Sequence, residues 1–210
     1  MPGTVSRMGD DRWWKDFDAV VTTALPIGSQ VLDFGCGDGG LVDRLTERGF
    51  DALGVDPRAP DHPRLIRESI EQVMGRGRFD AITAVMALHH AELDAVVPAL
   101  TRLLRPNGRL FVYDFGWDLY DERAAAWLAG HDSSPADNSI AGWWREHGEF
   151  HPSRAITQTL SARFEPARQV ARPYLARMLA RHDLEAEEHA LIDAQLLPAL
   201  GFWYIALRAG

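Results

Sequence analysis

Val31-Leu-Asp-Phe-Gly-Cys-Gly-Asp-Gly-Gly-Leu41 decides the reading of this chain. An apolar run ends in Asp33, glycines stand at 35, 37 and 39, and a helical pattern begins directly afterwards. Glycine alone lets a backbone turn this sharply and lie against a ligand with no Cβ between them. The N-terminus of the helix that follows offers unpaired N–H groups to a negative group. The pattern predicts a strand, a turn and a helix that together receive a nucleoside-bearing ligand.

The turn has two readings when taken alone, because Gly35, Gly37 and Gly40 also satisfy the G-x-G-x-x-G pattern of dinucleotide-binding folds. A second apolar run, Ala52-Leu-Gly-Val-Asp56-Pro57, ends in a carboxylate where a βαβ unit presents an acid to a ribose diol, about 20 residues on. Nicotinamide enzymes and methyltransferases share both features. Two later segments separate them: Phe79-Asp80-Ala-Ile-Thr-Ala-Val-Met-Ala-Leu-His-His90, and Leu103-Leu-Arg-Pro-Asn-Gly108 before Arg109-Leu-Phe-Val-Tyr-Asp114. With Asp33-x-Gly35-x-Gly37-x-Gly39 and Gly54-Val-Asp56-Pro57, these resemble class I S-adenosylmethionine-dependent methyltransferases of the small-molecule type. The resemblance covers residues 10–115 and, more loosely, the C-terminal strands.

The resemblance implies a Rossmann-like α/β fold. Its mostly parallel seven-stranded sheet has an antiparallel last strand beside the fifth, helices on both faces, and a helical lid inserted after strand five. It implies S-adenosyl-L-methionine as cofactor and S-adenosyl-L-homocysteine as product. Carried over residue by residue, Asp33 holds the amino end of the methionine moiety, and Gly35, Cys36 and Gly37 line it with backbone. Asp56, with Pro57 beside it, accepts the ribose hydroxyls. Glu68, Ser69 and Ile70 meet the adenine, with Glu68 in place of the common aspartate, and Ala84 lies beside the methionine portion. Each position also has a plainer reading: Asp33 and Glu68 as strand-end acids, Asp56 as the cap of the next turn, and Cys36 as a small apolar filler.

The chain itself supports the parallel sheet. Short apolar runs at 29–34, 51–56, 64–68, 79–85 and 109–115 alternate with helical patterns at 39–49 and 91–104. Gly49 suits a helix C-cap, Pro57 stops the second strand, and Asn107-Gly108 turns into the fifth. Pro98 predicts a kink or break in the 91–104 helix. Before the sheet, Trp13, Trp14, Phe17, Val20, Val21 and Leu25 recur at helical spacing over 10–25, which predicts an amphipathic helix stopped by Pro26. Its tryptophans are expected to pack on the sheet. The 116–152 segment holds four of the seven tryptophans and three of the eight histidines and reads as a loop-and-helix lid. Residues 153–163 and 173–199 read as helical around a strand at 164–172, and 201–207 as a last strand.

At 210 residues, 46% hydrophobic and 25% charged, the chain reads as one domain over 1–210. A net charge of −8 provides no basic stripe for phosphates, which argues against nucleic acid and for a small-molecule acceptor. Cys36 is the only cysteine, so neither an internal disulfide nor a cysteine-based zinc site is expected. Without a signal-like or membrane-length apolar run, a cytoplasmic protein with no membrane contact is expected. His147-Gly-Glu149-Phe-His151 invites a metal reading, but Gly148 and Pro152 break the helix that would align the ligands, and no metal is expected. The arginines at 145, 154, 163, 168, 172, 177 and 181 read as a solvated surface, with acidic-substrate binding as the sharper alternative.

Methyl transfer from a sulfonium is an in-line displacement, so proximity and orientation are expected to do most of the work. His89 and His90 follow strand four where a substrate pocket begins, which makes His90 the candidate general base. The Asn/Asp-Pro-Pro-aromatic sequence of many amine-methylating nucleic-acid enzymes is absent here, which favours oxygen, carbon or sulfur acceptors. Two rival readings stay open: an NAD-dependent oxidoreductase and a non-catalytic S-adenosylmethionine-binding protein. Neither the acceptor nor the oligomeric state is legible in the sequence.

Overall fold

The computed structural model describes residues 12–209 apart from 74, 76, 133 and 135, and describes backbone only at 12–15 and 18. Residues 10 and 11 and the side chains of Trp13 and Trp14 thus lie outside the described residues. Seven strands form one sheet: β1 (Gln30–Phe34), β2 (Asp51–Val55), β3 (Leu65–Ile66), β4 (Phe79–Val85), β5 (Leu104–Phe115), β6 (Glu165–Arg172) and β7 (Gly201–Leu207). Their order is β3-β2-β1-β4-β5-β7-β6. The first five run parallel to one another, while β7 is antiparallel to β5 and β6. The chain winds outward one way from β1 and then the other way from β4. A crevice therefore opens between the carboxyl ends of β1 and β4, at the topological switch point where α/β sheets bind ligands.

Strand alternation builds the two layers. Leu32, Ile82, Leu110 and Val112 face α3 (Leu93–Leu103) and α6 (Ser153–Ser161), and bury Val97, Leu100, Ile156 and Leu160. Their neighbours Val31, Ala81, Phe111 and Tyr113 face the other way, onto Phe17 and Val21 of α1 (Arg12–Ala24) and Leu41, Val42 and Leu45 of α2 (Gly40–Glu47). A third cluster lies beyond the strand ends, where Trp117, Tyr120, Trp127 and Trp143 pack with Leu175, Leu184 and Leu200. It unites α4 (Glu122–His131) and α5 (Ile140–His147) with the short α7 (Leu175–Met178) and α8 (Glu185–Asp193). Among the described residues, no helix is long and apolar enough to cross a membrane.

Several boundaries differ from the sequence expectation for local reasons. β5 starts at Leu104, not 109, because Leu104 pairs with Phe79 before a register shift; the left-handed Asn107 (φ 62°) then makes a bulge within the strand. α3 runs unbroken through Pro98, so the break expected there does not occur. The expected 64–68 strand is only Leu65–Ile66, and 173–199 is two short helices joined by a 3-10 turn at His182–Leu184. Left-handed Ala180 and Gln195 (φ 53° and 60°) follow α7 and α8 and end that helical pattern early.

Gly54 shows how tightly the strand ends are packed. A Cβ there would lie 2.6 Å from Cys36 Sγ and 2.7 Å from both Cys36 Cβ and Leu65 Cδ2, so β1, β2 and β3 meet only over a bare backbone. Gly54→Ala is expected to lower the unfolding free energy by about 1–3 kcal/mol, seen as an earlier urea midpoint at unchanged slope. An unshifted midpoint would show that the turn yields at no cost.

Candidate active site

The turn after β1 is held by its own backbone. Gly35 and Cys36 both donate N–H to the Val55 carbonyl (2.9 and 3.3 Å), and Gly37 donates to Asp56 Oδ2 (3.3 Å). Gly35, Gly37 and Gly39 take φ of 72°, 54° and 90°, where a side chain is strained. At Gly35 a Cβ would also meet Ala87 Cβ at 2.5 Å. Gly39 precedes α2 and has no side chain to cap it; the first N–H of the helix, that of Gly40, goes to Asp38 Oδ1 (3.3 Å).

These elements line a cleft of ≈ 1050 Å³ at the switch point. The cleft gathers Asp33, Gly35, Cys36 and Gly37 from the first turn, Asp56 and Pro57 from the second, and Glu68, Ser69 and Ile70 from the segment after β3. Ala84 departs from the expectation. It is fully buried in the α3 layer because alternation along β4 turns it away, and Val85, Met86 and Ala87 line the cleft instead. Met86 is left-handed at φ 53° and donates its N–H to the Tyr113 carbonyl (2.8 Å), which bends the chain out of β4 into the cleft wall.

Three side chains set the electrostatics. Asp33 is 3% exposed; its Oδ1 accepts the Thr83 hydroxyl at 2.7 Å from the paired position on β4. Burial pushes its carboxyl up to about 7, against the lowering effect of Thr83, and the nearby Asp56 charge raises it further. Asp56 accepts Gly37 N–H on Oδ2 and Arg58 N–H on Oδ1 (2.7 Å). It therefore does cap the next turn, and each oxygen keeps a lone pair for a ligand. Cys36 is packed against Gly54, and burial pushes its thiol above the ordinary range, so it fills space and is not a nucleophile.

The far side of the cleft is aromatic and was largely missed by the sequence reading. His89, His90, Phe115, His147, Phe150 and Tyr174 line it. His90 is exposed at the rim, 3.9 Å from the His89 ring and 4.4 Å from Phe150 between ring centres. Burial of part of its ring, then the neighbouring His89, lowers its pKa, against the raising effect of Asp114. His89 is buried, with Nδ1 2.6 Å from Asp114 Oδ1. Asp114, an acid at a strand end beside the crevice, was the available signal for this pair.

Among the described residues, the segment expected to be a lid sends only His147 and Phe150 into the cleft. Its tryptophans are occupied elsewhere: Trp143 stacks on Tyr120 at 4.1 Å and donates to the Trp117 carbonyl, while Trp117 donates to the Phe150 carbonyl. Among the described residues, no three His, Cys, Asp or Glu side chains are grouped to hold a metal. His147 Nδ1 bonds the Trp143 carbonyl, and the His151 N–H bonds the His89 carbonyl. Of the arginines read as solvated surface, Arg145 and Arg181 pair with Asp137 and Asp183 in solvent. Arg172 lies over Trp203 and Arg177 reaches the cleft, both half-buried.

A family model described as a methyltransferase domain matches residues 12–163. The chain belongs to that family. Within it this is a class I, S-adenosylmethionine-dependent methyltransferase domain, with S-adenosylmethionine as cofactor. An uncharacterized methyltransferase of Mycobacterium bovis is 31% identical over 132 residues, covering 58% of this chain and 46% of that protein. A ubiquinone biosynthesis O-methyltransferase of Xanthomonas oryzae pv. oryzae is 31% identical over 102 residues, 40% of this chain and 42% of that protein. The methyltransferase chain thus spans about half the length of the curated relatives it matches. Two solved structures share the fold. N-methyltransferase NodS of Bradyrhizobium japonicum, in complex with S-adenosyl-l-homocysteine, gives a TM-score of 0.62 at 12% identity over 98% of this chain and 92% of its own. An S-adenosylmethionine dependent methyltransferase of Mesorhizobium loti gives 0.57 at 20% identity over 93% and 97%.

Asp33 makes the methyltransferase domain pH-sensitive in a definite direction. Its carboxyl rises from an ordinary 3.8 to about 7 on folding, so the folded state holds a proton that the unfolded chain gives up. The contribution of this group to stability is full below about pH 4 and declines as pH rises towards about 7. Asp33→Asn keeps an acceptor for Thr83 and is expected to stabilise the ligand-free protein near pH 8, the gain vanishing by about pH 4, in urea midpoints measured across that range. A gain that does not change with pH would show that Asp33 is not the titrating group.

Proposed function

We propose that this domain transfers a methyl group from S-adenosylmethionine to a small organic acceptor bound in the same cleft, mainly by holding the two reactants together. The observation that carries this is Asp33: a buried carboxyl with one hydroxyl partner, raised to about 7 and facing a cleft, is a site that lacks a cation. The cofactor's α-ammonium supplies that cation, so the residues present fit the group. The two free lone pairs of Asp56 suit the ribose hydroxyls, and the bare backbone of Gly35, Cys36 and Gly37 suits the methionine chain. Glu68, Ser69 and Ile70 suit the adenine, with Pro57 beside the ribose.

When bound, the cofactor supplies an electrophilic methyl carbon on a good leaving group. What the chain must add is orientation, and holding reactants about 3–3.5 Å apart accounts for roughly 7–11 kcal/mol of a barrier. We read residues 1–210 as one such domain, with 116–152 closing the acceptor side through His147 and Phe150. A small acceptor is supported by the O-methyltransferase of ubiquinone biosynthesis among the relatives and by the chain's acidic balance. The family match disfavours the NAD reading. Measured methyl transfer would separate the enzyme from a non-catalytic binder.

S-adenosylhomocysteine is expected to raise the melting temperature while NAD does not, with about 2.7 kcal/mol of stabilisation at 100 times the dissociation constant. A larger shift with NAD would overturn this reading. Because Asp33 must ionise to meet the ammonium, calorimetry near pH 6 in buffers of different ionisation enthalpy is expected to show close to one proton released per ligand bound. Proton-neutral binding would remove Asp33 from the site. Asp56→Ala is expected to weaken S-adenosylhomocysteine binding about ten- to a hundred-fold, through loss of charge-assisted hydrogen bonds worth about 1.5–3 kcal/mol. Unchanged affinity in a folded variant would leave Asp56 only its bonds to the Gly37 and Arg58 N–H groups.

A further inference from the structure

Asp114 and His89 form a pair that cofactor binding does not require. Asp114 is fully buried near the end of β5, and its carboxylate accepts four N–H groups. Oδ2 takes the backbone N–H of Leu88 (2.9 Å) and His89 (3.3 Å); Oδ1 takes that of Phe115 (2.9 Å) and the ring Nδ1 of His89 (2.6 Å). A carboxylate only accepts, so this network assigns the ring hydrogen to Nδ1 and leaves a lone pair on Nε2. No other side-chain hydrogen bond holds the His89 ring among the described residues, and the ring lines the cleft. Nε2, on the ring edge opposite the carboxylate, is the atom left for a ligand.

The ring cannot turn away. It lies between His90, Phe115 and Phe150 at 3.9, 4.7 and 5.3 Å between centres, and the His89 carbonyl is tied to the His151 N–H (3.0 Å). A basic nitrogen oriented by a buried carboxylate is the arrangement of an activated general base. Its surroundings also limit the acceptor. Phe115, stacked on Tyr174 at 4.8 Å, and Phe150 give this side flat apolar walls that suit a planar ring.

We propose that His89 is the general base for a hydroxylated aromatic acceptor, and that Asp114 is the positioning residue that aims it. The proposal rests on the methyl-transfer reading of the cleft. The acceptor's hydroxyl proton passes to His89 Nε2 as a lone pair on that oxygen forms the bond to the methyl carbon. The carbon–sulfur bond breaks, and its electron pair stays on sulfur. The imidazolium, paired with Asp114, then returns the proton to water in the cleft. His90, the residue chosen from sequence, has no carboxylate hydrogen-bonded to its ring among the described residues and forms part of the rim. The other titratable groups around His89 are His90 on its own turn, His147 on α5, Tyr174 and Arg177 on and before α7, and Arg58 and Glu92 at the cleft edge.

The test uses single turnovers of S-adenosylmethionine-loaded protein near pH 8 with two probes: phenol, un-ionised there as a tyrosine side chain is, and 4-nitrophenol, which is already ionised. His89→Gln is expected to slow phenol methylation about 10²–10⁴-fold and 4-nitrophenol methylation by less than about tenfold. Nitrogen-15 spectra of histidine-labelled wild type should show His89 protonated on Nδ1 and bare on Nε2, a readout that does not depend on the variant folding or on turnover. Equal losses for the two phenols, a hydrogen on Nε2, or methylation of aniline with neither phenol methylated would each overturn the proposal. Calorimetry with S-adenosylhomocysteine on the same samples separates these outcomes from failure of the cofactor reading, since only the latter removes binding from the wild type.

Discussion

The carbonyl of Val55 accepts the N–H groups of both Gly35 and Cys36, and the rest of the site depends on that shared bond. It ties the end of β1 to the end of β2 at the point where the chain must reverse into α2. Leaving either donor buried without a partner costs about 1–3 kcal/mol, a large part of a small domain's stability. The reversal is possible only because the three chains that meet there carry almost no side-chain bulk. Gly35 touches Ala87 of the β4 exit, and Gly54 touches Cys36 and Leu65. From this knot follow the direction of α2, the aim of Asp33 across to Thr83, and the placement of Asp56 beneath the Gly37 N–H.

Of the four buried acids among the described residues, Asp33 in the cleft wall and Asp114 and Glu188 behind residues that line it are handled differently. Asp33 receives one hydroxyl and is raised by burial to about 7. Asp114 receives four N–H groups, one of them the ring of His89, so its charge is spent inside the protein to orient a neighbour. Glu188 of α8 accepts the N–H groups of Tyr174, Leu175 and Ala176 and thereby starts α7, which carries Arg177 to the cleft. Burial raises its carboxyl, and those backbone donors oppose the rise. A group's place in the cleft is not enough to tell its role; the number and kind of its donors is.

The tryptophan-rich insertion shows how a segment can look ligand-binding and be mostly core. Trp117, Trp127 and Trp143 are buried against Tyr120, Leu128 and the helices that precede β7, in a cluster of their own beyond the sheet. Their indole N–H groups go to the Phe150 carbonyl, Glu187 and the Trp117 carbonyl. These bonds fix the course of the chain so that Phe150 and His147, not the tryptophans, arrive at the cleft. Apolar patterning had marked the segment as able to bury surface, but it carries no sign of which surface that is.

The glycine turn, the two strand-end acids, the strand sequence up to Phe115 and the last strand were legible in the sequence. Each depends on local physics: bare backbone at positive φ, a carboxylate at a fixed distance along a βαβ unit, and apolar runs of strand length. Element ends were less legible where a longer-range pairing competed, as when Leu104 joined Phe79 and moved the start of β5 ahead of Asn107. Facing was illegible at Ala84, since one residue of strand phase decides between core and cleft and an unbroken apolar run does not encode it. The choice between His89 and His90 belonged wholly to tertiary structure. The two histidines are adjacent and chemically alike, and only the approach of Asp114, 25 residues further on, gives one of them a fixed ring and leaves the other at the rim.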